Sequence, residues 1–149
     1  MAELKVKARG AQDVQALVFK FNFDDTMKNK AGVLCDFGLV TVGAANVFEI
    51  ARLPKGSRVV GGSFERLVAF DTAAYTVLIG DSSDTDRYLA SADLKATGAA
   101  ALLQLVGTGT IGDTVEMSIA NTDVCTTGQG RVTILYVVDD KAEEVSGRP

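Results

Sequence analysis

The densest group of side chains able to do chemistry is Gly80-Asp81-Ser82-Ser83-Asp84-Thr85-Asp86-Arg87-Tyr88, where Asp81, Asp84 and Asp86 place three carboxylates within six residues. Oxygen ligands at that density are what a calcium ion takes. The spacing departs from an EF-hand loop, because no glycine sits in the turn after Asp86 and no bidentate glutamate follows. Arg87 supplies a countercharge next to Asp86, and short acidic side chains bond their own backbone in Asx turns. The run therefore reads as a loop between strands with no metal or cofactor assigned. Asp81, Asp84 and Asp86 are the place where calcium would find ligands if the loop held any.

Two glycine-rich runs, Gly107-Thr108-Gly109-Thr110-Ile111-Gly112 and Thr126-Thr127-Gly128-Gln129-Gly130, have the look of phosphate-binding turns. A dinucleotide fingerprint needs a parallel βαβ unit whose helix N-terminus receives the phosphates. Here apolar, strand-like segments flank the glycines, so both runs read as hairpin loops. No Gly-Lys-Ser/Thr triplet is present, which excludes a P-loop nucleotidase. Glu49, Glu65, Asp71 and Glu116 could in principle supply the two acids of a glycosidase. A sugar-stacking cleft has little to be built from, however, with seven Phe, three Tyr and no Trp. Histidine is absent altogether, which removes every Ser-His-Asp and Cys-His mechanism. The chain reads as a binding or structural protein and not as an enzyme.

Composition agrees. The 149 residues are 47% hydrophobic and 23% charged, which fits one domain spanning 1–149 around one core. Net charge is −4, so the phosphate attraction behind non-specific nucleic-acid binding has no source. Mean hydropathy is +0.18, yet no run reaches the roughly 18 apolar residues of a membrane-spanning helix. Neither a nucleic acid nor a membrane is expected as a partner, and Met1 to Lys20 lacks the pattern of a cleaved signal. Cys35 and Cys125 are too few for a disulfide framework and read as two small buried thiols.

The elements that must position these residues are short. Fifteen glycines punctuate the chain, and the segments between them alternate with the two-residue period of strands. Leu4 to Ala8, Val14 to Phe21, Val33 to Val42, Val47 to Leu53, Arg58 to Phe70, Tyr75 to Ile79, Ala99 to Val106, Thr114 to Ala120 and Arg131 to Asp139 make about nine. That pattern predicts an all-β sandwich or barrel. Thr114 to Ala120 reads as a strand with one wet face carrying Glu116, while Arg131 to Asp139 has both faces partly covered. Phe19, Phe21 and Phe23 alternate and point to a core face. Gly61 and Gly62 mark a bulge or break. Ser91 to Ala96 predicts one short helical turn capped by Ser91, and Asp24 to Gly32 reads as a polar connection. The charged tail 139–149 is nearly free of large apolar residues, so alone it does not offset the entropy of ordering.

One stretch has a familiar order. Val47-Phe48-Glu49-Ile50-Ala51-Arg52-Leu53-Pro54-Lys55-Gly56-Ser57-Arg58-Val59-Val60-Gly61-Gly62 is followed by Leu78-Ile79-Gly80-Asp81, then by Asp84, Asp86-Arg87-Tyr88-Leu89 and Ala92-Asp93-Leu94. An apolar strand ends in a Leu-Pro-x-Gly turn, a second strand starts at once, and a later strand runs into a Gly-Asp loop ending in Arg-Tyr. This order resembles the small capsid decoration, or cement, proteins of tailed bacteriophages. The likeness covers Val47 to Leu103, about two fifths of the chain.

The resemblance implies a β-sandwich of jelly-roll type, assembled as a homotrimer on the outer surface of the virion. It implies the major capsid protein as partner, no catalytic residue, no small-molecule substrate, and synthesis in the host cytoplasm. Asp81, Asp84, Asp86, Arg87 and Tyr88 match the motif and become candidate contacts to the capsid or to a sister subunit. Other readings are a different virion β-protein, such as a head-fibre base or tail component, and a carbohydrate-binding module.

Overall fold

The computed structural model describes residues 14–39, 47–95, 98–101 and 114–138. Alternating branched and aromatic residues form antiparallel strands throughout, as their fit to a pleated, half-buried surface dictates. These are β1 (Gln15–Asn22), β2 (Thr26–Lys28), β3 (Leu34–Asp36), β4 (Val47–Arg52), β5 (Ser57–Val68), β6 (Tyr75–Gly80), β7 (Leu89–Asp93), β8 (Gly98–Ala101), β9 (Thr114–Asn121) and β10 (Gln129–Val138). Eight of them make two four-stranded sheets, ordered β1-β10-β5-β8 and β4-β9-β6-β7, while β2 and β3 pair as a separate hairpin. Successive strands of the large sheets lie in opposite sheets at every step but one. The exception is β6 to β7, joined by the acidic loop.

One core joins the two sheets. Phe21, Phe64, Val132 and Ile134 from one pack in the same buried cluster as Phe48, Val77, Ile79 and Met117 from the other. Phe37, just after β3, links them: its ring lies 5.3 Å from Phe21 on β1 and 4.9 Å from Phe48 on β4, both edge-on. Such geometry suits the ring quadrupoles. The Tyr75 hydroxyl donates to Phe37 O at 2.8 Å, so the buried phenol is satisfied. Phe21 is buried and Phe19 and Phe23 pack against the cluster, which makes the alternating phenylalanines a core face as expected.

The Leu53-Pro54-Lys55-Gly56 turn takes the form its residues dictate. Gly56 has φ 84°, Ser57 N donates to Pro54 O at 3.1 Å, and β5 begins at once. β5 is one continuous strand, bulged where Leu135 faces Gly61 and Tyr136 faces Val59, which leaves Val60 as the extra residue.

Five expectations need correction. The predicted turn from Ser91 to Ala96 is not helical over its described residues 91–95: Leu89–Asp93 is a strand, with Ala92 opposite Val77 and Asp93 opposite Thr76. A six-residue helix must meet the nucleation cost alone, whereas this segment finds a ready ladder on β6. The Asp24 to Gly32 connection contains β2, and of the described part of Val33 to Val42, residues 33–39, only Leu34–Asp36 is strand, the two forming the small hairpin. The outward face of β9 is wet only toward its far end: Thr114 and Glu116 are buried, Ser118 is half-buried and Ala120 is exposed, while Val115, Met117 and Ile119 are buried inward. Cys125 is buried, but Cys35 is only half-buried; both are free thiols. Leu4 to Ala8, most of Ala99 to Val106, the Gly107 to Gly112 run and the tail 139–149 lie outside the described residues.

Candidate functional site

The loop from Gly80 to Tyr88 folds around one carboxylate. Asp81 is buried, and its Oδ1 accepts from Ser83 N at 3.0 Å, Ser83 Oγ at 3.1 Å and Asp84 N at 2.9 Å. Its Oδ2 accepts from Arg87 Nε at 2.5 Å. Asp81 N donates to Asp84 O at 2.9 Å, and Tyr88 N returns to Ile79 O at 2.9 Å to restart the ladder. This is an Asx turn closed by an ion pair. Gly80 is required for it: a Cβ there would sit 2.0 Å from Asp84 O.

The sequence-selected residues thus divide. Asp81 and Tyr88 are buried, Asp84 and Arg87 are half-buried, and Asp86 is exposed with Ser82, Ser83 and Thr85. Hydrogen bonding to Asp81 raises the Arg87 guanidinium above its ordinary value. Hydrogen bonding to Asp84, with smaller contributions from burial and from the like charge, raises the Asp86 carboxyl. Among the described residues no group of three His, Cys, Asp or Glu is placed to hold a metal ion. The Asp81 oxygens instead face protein donors.

The four acids considered for catalysis are partly brought together. Glu49 and Glu116 stand opposite each other on β4 and β9. Each has a cation: Lys30 Nζ reaches Glu116 Oε1 at 2.8 Å, and Arg52 lies 3.8 Å from Glu49. Thr114 Oγ also donates to Glu116 Oε1 at 3.2 Å. A cavity of about 230 Å³ beside them is lined by Met27, Lys28, Asn29, Lys30 and Glu49. Glu65 pairs instead with Arg131. Asp71 binds Thr126 and Thr127: Oδ1 accepts from their amides at 2.8 and 3.1 Å, and Oδ2 from the Thr126 hydroxyl. These bonds hold the Asp71 carboxyl below its usual range, the Thr126 hydroxyl contributing most. The second glycine run therefore serves as a loop anchored by Asp71. Gly128 is fixed there because a Cβ would lie 2.3 Å from the Phe70 ring.

Sequence reading missed Lys30, whose partner is 86 residues away. The only trace is a glutamate in a strand otherwise rich in apolar residues.

No protein-family model and no curated protein matches the chain. Its fold is similar to that of solved phage structures. A chain of the capsid asymmetric unit of cyanophage Pam1 superposes with a TM-score of 0.62 at 19% identity, over 92% of this chain and 94% of that one. A chain of the acid-stable capsid structure of Helicobacter pylori bacteriophage KHP30 gives 0.58 at 18% identity, over 83% and 86%. The likeness is one of fold and spans nearly the whole domain.

Proposed function

We propose that this chain is a capsid decoration protein of a tailed bacteriophage, which binds the outside of the head as a homotrimer and cements neighbouring major capsid subunits. The observation that carries the reading is the strand order, joined to its near full-length likeness to chains of phage capsids. Counting only the eight strands of the large sheets, the orders are 1-8-3-6 and 2-7-4-5. A chain wrapping from sheet to sheet in that way supports the jelly-roll assignment, a double Greek key common in capsid domains. The absence of histidine and the self-contained hydrogen bonding of the acidic loop fit a structural role. Two free thiols fit synthesis in a reducing cytoplasm.

In this reading the Gly80–Tyr88 loop is a contact to the capsid or to a sister subunit. Asp81, Arg87 and Tyr88 hold its shape, and Asp84 and Asp86 with the neighbouring hydroxyls meet the partner. Modest contacts repeated over a lattice add up by avidity. The test is cosedimentation with heads, lacking decoration, of the phage that carries the gene, followed by heating. Saturable binding and a higher temperature of head rupture are expected. Binding only at one vertex or on the tail would favour a head-fibre base or tail component, and no binding would overturn the reading.

A further inference from the structure

The two sheets are finished differently on their outer sides. Over β4-β9-β6-β7, the turn after β2 is pinned by Lys30, whose N donates to Val47 O at 2.7 Å and whose Nζ meets buried Glu116. Among the described residues nothing plays that part on the β1-β10-β5-β8 sheet. Its outer side sets Ala16 opposite Leu135 and Val18 opposite Thr133, and Val14 and Val18 are 57% and 61% exposed. The register places Lys20, Arg131 and Glu65 in one row and Arg58 opposite Val137. That is three cations against one anion, on a chain of net charge −4.

One end of the sandwich has the opposite character. The loops 23–25, 36–39, 69–74 and 122–128 meet there: Phe23 N donates to Gly128 O, Cys125 N to Gly38 O, and Thr126 N to Asp71. They carry Asp24, Asp25, Asp36, Asp71 and Asp123, and no Lys or Arg. Leu39 and Val124 are 51% and 55% exposed among them. Asn121 Nδ2 ties the loops that carry them together, donating to Leu39 O at 2.8 Å and Asp123 O at 3.2 Å.

We propose that this acidic end, centred on Leu39 and Val124, docks on the Val18 side of the β1-β10-β5-β8 sheet of a second copy of the chain. Each patch has an apolar centre within a border of charge, and the charges are of opposite sign, which steers the pairing and fixes its orientation. Because the two patches differ, the contact is heterologous, and repetition by rotation closes a ring. The copy number of three rests on the function proposed above; the pairing of the patches does not.

The test uses the full chain, without capsids, in light scattering after gel filtration. Wild type is expected to be an oligomer that weakens in high salt. Val18→Glu sets an acid against the acidic end and Val124→Lys sets a cation against the basic side, so each alone should fall to the 15.6 kDa monomer. The double variant restores opposite charges across the contact and should recover the oligomer. Lys20→Glu with Asp123→Lys is a second swap, at exposed positions where folding is kept and is checked by the circular dichroism melt. A wild-type monomer at every concentration, single variants of wild-type mass, or doubles no larger than their singles would overturn the interface. Head binding by the wild type, measured separately, fails only if the decoration function is wrong.

Discussion

Lys30 Nζ lies 2.8 Å from Oε1 of Glu116, a carboxylate only 2% exposed on a strand flanked by β4 and β6. The lysine is half-exposed, so the two ends of this pair are not equivalent. Lys30→Met strands a buried carboxylate with Thr114 as its remaining described donor and is expected to cost about 2–4 kcal/mol. Glu116→Gln keeps shape and lets Lys30 return to water, at about 1 kcal/mol. Denaturant unfolding of the two variants checks the order; equal losses would contradict it.

The acidic loop should depend on Asp81 and not on calcium. Asp81→Ala removes the acceptor of three donors and of Arg87, and is expected to lower stability by about 2–4 kcal/mol. Asp86→Asn, which removes a charge its Asp84 neighbour disfavours, should leave stability unchanged or slightly higher. Because the Asp81 oxygens are occupied by protein donors, neither calcium nor a chelator should move the melting temperature. A calcium-dependent rise would assign the loop an ion after all.

Asp71 gives the fold an acid-dependent increment. Its folded value is depressed below 3.8, so its contribution is complete above 3.8 and is lost as pH falls through the lowered value. Wild type and Asp71→Asn should differ in melting temperature at neutral pH and converge in strong acid. Parallel curves across that window would exclude Asp71 as the cause.

The two thiols should react in a fixed order. Burial, the largest cause, pushes the Cys125 thiol up to about 11, so it is almost wholly protonated at neutral pH. Cys35 is half-buried and donates weakly to Val33 O at 3.5 Å. Alkylation of the native protein followed by peptide mass spectrometry should find label on Cys35 first and on Cys125 only after unfolding.

Much of the fold was legible because strand period and turn chemistry are local. Pro54 and Gly56 foretell their turn, and the Val132, Ile134 alternation foretells the core side of β10. What stayed hidden depends on pairing across the chain. Glu116 alternates like an outward residue, and its cation, Lys30, comes from a turn distant in sequence. Ser91 and Asp93 carry the signs of a helix start, yet β6 offers backbone partners that a single turn cannot match. The Asx turn of the acidic loop is legible in its residue types. That Asp81 and Tyr88 are buried while Asp86 faces out follows from Gly80 and the closing ion pair, which spacing alone does not order.

The central claim is that the chain sits on the outside of a phage head, and electron cryomicroscopy of the virion tests it most directly. The account predicts density fitting the two-sheet sandwich outside the shell, repeated over the lattice at junctions between major capsid subunits. Density inside the shell, on the tail alone, or nowhere in the particle would contradict it.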